Sequence, residues 1–193
     1  MSDRRWMVAA AAAVGLGLAA IPFIGTGAEQ PTGGAGASAS AGKAGATGAS
    51  PVCESKTKKA PDFEMSDYTG KKVRLADYKG KVVFVNFWAT WCGPCKYEIP
   101  MFVDLQQRYG AQGLNFLGIS VDDPVDELKP FVDQYKMNYP VLVGLGREEV
   151  QEAYGPMVGI PVTVVIGRDG NLCTRYFGLR AKDRFEADIK ALL

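Results

Sequence analysis

The sequence predicts an α/β layered fold, a central β-sheet flanked by helices, built as a single domain. Short apolar runs rich in β-branched and aromatic residues, at 82–87, 114–121 and 162–166, alternate with segments of helical periodicity. That alternation places strands and helices in separate layers. Length sets the domain count, because 193 residues with 47% hydrophobic content bury one ordinary core and not two large ones.

The N-terminal third stands apart from that core. After Arg4 and Arg5 comes an uncharged apolar run at 6–25, long enough to cross a hydrocarbon layer as a helix, with Glu29 beyond it. Basic residues before the run place the rest of the chain outside the cytoplasm. Small residues at Thr26-Gly27-Ala28 offer a competing reading as a cleaved signal peptide, but the run exceeds the usual length of such a segment and favours an uncleaved anchor. Residues 26–51 are almost entirely Gly, Ala, Ser, Thr and Pro, which cannot offset the entropy of ordering and predict a tether. The expected organisation is a signal anchor or signal peptide at 1–28, a Gly/Ala/Ser-rich tether at 29–59 and a folded domain at 60–193.

Within the domain, Phe63 and Met65 alternate with polar neighbours, Tyr68-Thr69-Gly70-Lys71 supplies a turn, and Val73 and Leu75 resume the alternation. These residues predict an N-terminal β-hairpin. A short helical turn at 75–80 ends at Gly80, and the run 82–87 is the buried central strand. Ile99, Phe102 and Val103 fall at helical spacing after Cys95, so a helix spans about 94–109 and is bent by Pro100. The run 114–121 is apolar on both faces, as a parallel strand between helical layers must be. Asp123 is read as the N-cap of a helix that starts at Pro124 and continues to about Tyr135, distorted at Pro130. A short strand at 141–143, a short helix at 148–154 and a strand opened by Pro161 come next. Arg168-Asp169-Gly170-Asn171 is a hairpin turn that sends 172–177 back antiparallel. Phe185, Ile189 and Leu192 form one stripe of a closing helix.

The chemistry sits in Trp88-Ala89-Thr90-Trp91-Cys92-Gly93-Pro94-Cys95, where a strand ends and a helix begins. A sulfur at a helix start faces unpaired N–H groups and the positive end of the macrodipole, which favour thiolate over thiol. Cys92 is therefore the candidate nucleophile. Cys95, one turn on, is placed to attack a mixed disulfide formed at Cys92 and close a Cys92–Cys95 redox-active disulfide. Pro94 stiffens that ring, and Gly93 lets another backbone approach. Zinc needs a second ligand pair, yet the chain has no His and Cys53 and Cys173 stand singly, so no metal is expected. No cofactor is expected either. In an exported chain two spare cysteines are more often bridged than free, which makes Cys53–Cys173 a candidate structural disulfide.

These residues carry a family resemblance. Phe87-Trp88-Ala89-Thr90-Trp91-Cys92-Gly93-Pro94-Cys95, Pro100 and Gly159-Ile160-Pro161 resemble thioredoxin, and the opening xPDFxxxDxxGxxxxLxDYKGK resembles the TlpA/ResA/CcmG group of membrane-tethered reductases. The resemblance covers about 60–193. It implies a thioredoxin-like fold with a central mixed β-sheet and an N-terminal hairpin extension. It also implies a cis Ile160–Pro161 peptide packed against the cysteines, with Ile160 pairing a client backbone. Trp91, Gly93, Pro94, Ile160 and Pro161 then form the client-binding surface. Thioredoxins carry an acid just before the Phe-Trp pair, but Asn86 stands here and takes no proton. Glu98, three residues beyond Cys95 on the same helical face, is the expected proton-handling group. By the same resemblance the Gly-Pro pair implies the reducing direction, and clients are disulfide-bearing proteins such as those of cytochrome c maturation or copper-centre assembly; electrons are expected from a membrane dithiol carrier, because soluble thioredoxin cannot cross the bilayer.

Two other functions are consistent with parts of this pattern. A thiol peroxidase of the peroxiredoxin type needs a Thr and an Arg around an isolated Cys, which Thr90-Trp91-Cys92 imitates only in part. A redox-inert binding module would survive loss of Cys92. With 22 basic against 21 acidic residues and a net charge of +1, the chain has no electrostatic footprint for nucleic acid.

Overall fold

The computed structural model describes Cys53 and residues 58–193. The expected membrane segment at 1–28, and the tether apart from Cys53, Lys58 and Lys59, lie outside the described residues. Among the described residues no helix is long and apolar enough to cross a membrane.

In chain order the elements are β1 (Glu64–Ser66), β2 (Lys72–Arg74), β3 (Val82–Trp88), α1 (Gly93–Tyr109), β4 (Leu114–Ser120), α2 (Val125–Tyr135), β5 (Val141–Val143), α3 (Glu148–Ala153), β6 (Val162–Ile166), β7 (Leu172–Phe177) and α4 (Lys182–Leu192). Five strands form one mixed sheet in the order β5-β4-β3-β6-β7. β3 pairs parallel with β4, and β4 with β5, while β6 runs antiparallel to both β3 and β7. The thioredoxin-like architecture expected from the sequence is present.

β3 organises the core because all seven of its residues are buried. Val82, Phe84 and Trp88 pack on one face with Ile99, Phe102, Phe131 and Phe185 of the helices. Val83, Val85 and Phe87 pack on the other with Phe63, Met65 and Val73 of the hairpin segment and with Val150 and Tyr154. The ring of Phe116 joins Phe84 at 5.2 Å to Phe102 at 4.6 Å, and Trp88 lies 4.9 Å from Phe131. Each such ring contributes roughly 2–3 kcal/mol of burial. The Trp88 indole also needs Gly118 opposite it, since a Cβ there would meet Nε1 at 2.9 Å. Asn86 shares the alternation of Phe84 and Trp88, so a polar side chain is set into the helix-facing layer.

The hairpin of β1 and β2 shields the sheet edge. Asp67 bridges Leu142 of β5, and the Tyr68 N–H donates to the Val141 carbonyl at 3.0 Å. An otherwise open strand edge is thereby covered.

Two expectations are corrected. Asp123 does not cap α2; Pro124 holds the N-cap position without a side-chain bond, and Asp123 is turned inward and 2% exposed. The reason is donor supply, since inside the protein this carboxylate accepts from both groups of Thr90 and from Ser120. Lys58 and Lys59, assigned to the tether, pair with the β6–β7 turn: Leu172 N–H donates to the Lys58 carbonyl at 2.9 Å, Ala60 N–H to Gly170 at 3.0 Å, and Lys59 bridges Asn171. Gly170, at φ 75°, supplies the left-handed residue that this turn requires.

The register defines two ends of the sheet. At the exit end β3 and β4 finish, β6 begins and β7 finishes, gathering Cys92, Asp123, Pro161 and Gly178. At the entry end lie Lys81, Arg168, Gly170 and Cys173.

Candidate functional site

At the exit end the chain leaves β3 through Ala89-Thr90-Trp91 and enters α1 at Cys92, whose N–H donates to the Ala89 carbonyl at 3.2 Å. Cys92 is the N-cap, with extended backbone at φ −75° and ψ 108°, and its Sγ accepts the Cys95 N–H at 3.2 Å. The sulfur therefore occupies the place a serine or aspartate oxygen takes at an ordinary helix start. Pro94 sits in the first turn, where its missing N–H costs nothing. Cys92 and Cys95 are disulfide-bonded to each other, and both are buried. Gly93 and Pro94 are exposed, so the ring is open to approach from the loop side.

Facing the pair is the peptide Ile160–Pro161, which is cis. The Ile160 carbonyl oxygen lies 3.8 Å from Cys92 Sγ, and the Pro161 carbonyl accepts the Gly178 N–H at 2.8 Å. Trp91 is 63% exposed and Val158 88%, apolar surface that solvent would not ordinarily be given. The indole of Trp91 is not loose, since its Nε1 donates to the Asp122 carboxylate at 3.0 and 3.3 Å.

Glu98, one turn beyond Cys95 on α1, is only 1% exposed. Burial, which penalises the charged form, pushes its carboxyl up to about 7, against the pull of the Arg180 N–H, the Asn86 amide and the Arg180 charge. The Arg180 N–H donates to Oε1 at 3.3 Å, and Asn86 Nδ2 reaches Oε2 at 3.5 Å. The same Nδ2 donates to Thr163 Oγ1 at 3.0 Å. Asn86 thus links the strand before the cysteines, the helix after them and the strand that begins beyond Pro161.

Several residues of the site were not singled out by the sequence. Asp123 accepts from the Thr90 N–H at 2.8 Å, the Thr90 hydroxyl at 2.6 Å and the Ser120 hydroxyl at 2.5 Å. It fastens the loop that carries Trp91 and Cys92. Its commitment of the Thr90 hydroxyl removes the group that the peroxidase reading needed beside Cys92. Asp122, Thr163 and the backbone of Arg180 were likewise missed. The pair Asp122-Asp123 directly after an apolar strand was the available signal, because two carboxylates at a strand end have loop donors within reach.

Cys53 and Cys173 are also bonded, at the entry end and away from this site. Among the described residues no group of three or more Cys, Asp or Glu side chains is placed to hold a metal ion.

Comparison with known proteins points to the same chemistry. Residues 57–175 match the AhpC/TSA family. The chain is 36% identical to the thiol-disulfide oxidoreductase ResA of Bacillus thuringiensis subsp. konkukian over 135 residues, covering 70% of this chain and 77% of that protein. It is 34% identical to the ResA of Geobacillus thermodenitrificans, covering 69% and 75%. A crystal structure of a Chlorobium tepidum protein described as a thiol:disulfide interchange protein DsbE superposes with a TM-score of 0.66 at 31% identity, covering 72% of this chain and 97% of that one.

Proposed function

We propose that this chain, which belongs to the AhpC/TSA family and within it to the ResA-like thiol-disulfide oxidoreductases, reduces disulfides in client proteins through Cys92 and Cys95. It is a thiol-disulfide oxidoreductase; the direction of exchange and the residue roles are our reading. One observation carries it: Cys92 Sγ is the N-cap of α1 and accepts the Cys95 N–H at 3.2 Å. In the reduced protein the same donor and the helix macrodipole stabilise a Cys92 thiolate.

The thiolate attacks one sulfur of a client disulfide, forming a Cys92–client bond and releasing the other client sulfur as thiolate. Cys95 then attacks Cys92 Sγ, closing the Cys92–Cys95 bond and releasing the second client sulfur. The client gains two electrons and two protons, and the dithiol loses them. Glu98, with its carboxyl near 7, is suited to take the Cys95 proton at that moment. Ile160, beside Cys92, offers backbone groups to an extended client, and Trp91 and Val158 offer apolar contact.

By resemblance, Gly93-Pro94 between the cysteines, with no His there, supports the reducing direction, and a membrane dithiol carrier is the class of donor that would restore the reduced state. Arg4, Arg5 and the run 6–25 support attachment to the cytoplasmic membrane with the domain on its outer side. Maturation of cytochrome c is the client pathway the resemblance suggests, with assembly of copper centres as another.

The test is insulin disulfide reduction by the full chain with a dithiol as electron source. Wild type reduces insulin, Cys92→Ser does not, Cys95→Ser accumulates mixed disulfides with clients, and peroxide consumption stays at background. Retention of insulin reduction by Cys92→Ser would overturn the assignment.

A further inference from the structure

We propose that the entry end of the sheet is a docking surface for an anionic phospholipid leaflet. Lys59, Lys79, Lys81 and Arg168 rim a cavity of about 310 Å³ there. Its floor is apolar, formed by Leu75, Val83 and Ile166. A cationic rim over an apolar floor matches the phosphate and glycerol-ester layers of a lipid headgroup region.

The rim lysines have no carboxylate partner among the described residues. Arg168 is already engaged, directing its donors to main-chain oxygens of Gly80, Gln112, Leu192 and the last residue, Leu193, and Lys59 Nζ donates to the Asp169 carbonyl at 2.6 Å. None of Lys59, Lys79 or Lys81 forms an ion pair with a described carboxylate, whereas Lys129, Lys182 and Lys190 elsewhere each hold a carboxylate within 2.9 Å. Two carboxylates face the cavity. Asp62 accepts the Phe63 N–H, and Asp169 accepts the N–H and side-chain amide of Asn171. Four cations line the cavity against these two acids, and three of the four are lysines without a carboxylate partner among the described residues.

The occupant is argued from where the chain enters. Cys53, bonded to Cys173, and the pairing of Lys58 and Lys59 fix the incoming chain at this end, and the sequence before it leads back to the run 6–25. The proposal therefore rests on the membrane attachment proposed above. Docked this way, the domain turns Cys92 away from the leaflet and toward passing clients.

The experiment places the full chain in nanodiscs of phosphatidylcholine, with or without phosphatidylglycerol, and tracks hydrogen exchange at 79–83 and 166–170. Exchange slows about fivefold or more with phosphatidylglycerol, the effect expected from one or two lysines at an anionic surface. The protection is lost in about 0.5 M salt and in the double variant Lys79→Glu, Lys81→Glu, while that variant reduces insulin normally. Equal exchange in both lipids overturns the proposal, as does equal protection of the lipid-free chain by inorganic phosphate. Failure of the chain to enter phosphatidylcholine discs would instead reject the attachment, and docking would then be read as phosphatidylglycerol-dependent co-sedimentation with vesicles.

Discussion

Cys92 and Cys95 close a ring of neighbours at the head of a helix, whereas Cys53 and Cys173 join positions 120 residues apart at the opposite end of the same sheet. The surroundings explain the division of labour. Cys92 has a backbone N–H aimed at its sulfur and a carbonyl beside it, with the buried Glu98 carboxyl one turn beyond Cys95, the setting that the proposed exchange uses. Cys173 lies near the start of an antiparallel strand, and its bond holds the incoming chain against a turn to which two backbone hydrogen bonds already pair it. A short loop removes little entropy from the unfolded chain when it closes, and a long one removes much. The same covalent bond is thus labile chemistry at one end and a fastening at the other.

The sharpest way to break that comparison is to remove one sulfur from each pair. Cys92→Ser should abolish insulin reduction and leave the urea midpoint close to wild type. Cys173→Ser should do the reverse, keeping kcat/KM within about twofold while costing about 2–5 kcal/mol in urea unfolding. If both variants lose activity equally, the two ends are not separable.

Glu98 offers a test in pH. Its folded-state carboxyl, near 7, lies above the ordinary value of 4.5, so the folded protein holds a proton that the unfolded chain has released between those values. Stability contributed by the neutral form is complete below about 4.5 and is lost as pH rises toward 7. At about 1.4 kcal/mol per unit, Glu98→Gln should gain roughly 3 kcal/mol over wild type at pH 8 and almost nothing at pH 4, measured on the oxidised protein. The same variant should flatten the pH dependence of cysteine alkylation. Unchanged alkylation profiles would remove Glu98 from proton handling.

Loss of the loop fastening comes next in size. Asp123→Ala strands the Thr90 and Ser120 donors inside the protein and should cost about 2–3 kcal/mol, with slower alkylation of Cys92; Thr90→Val should show only part of this, because the backbone donor remains. Asp122→Ala should have the smallest effect. Releasing Trp91 should raise KM for protein clients about twofold and leave reduction of a small aromatic disulfide unchanged, with a shift in Trp emission reporting the freed indole.

Legibility in the sequence depends on the range of the interactions. β3 and α1 were readable because an all-apolar run and a helix-start motif are local patterns, and Glu98 emerged from its position one turn after Cys95. Asp123 was misread because Asp before Pro at a strand end is a local signature of a cap, while the donors that capture it lie 33 residues earlier and in the preceding strand. Thr163 and Arg180 reach Asn86 and Glu98 from 77 and 82 residues away, and no spacing rule connects them. The pairing of Lys58 and Lys59 with the β6–β7 turn was hidden for a similar reason: both are polar, and their contribution is made by the backbone.

The antiparallel register of β3 and β6 has a last consequence. Because the Cys92 loop, the cis-proline loop and the Arg180 segment all emerge from one end, the exposed side chains of Lys79 and Lys81 at the other end can change without touching the cysteine pair, while Gly80, Gly170 and Arg168 hold the turns themselves. The surface at that end and the chemistry at the other are therefore free to diverge at separate rates.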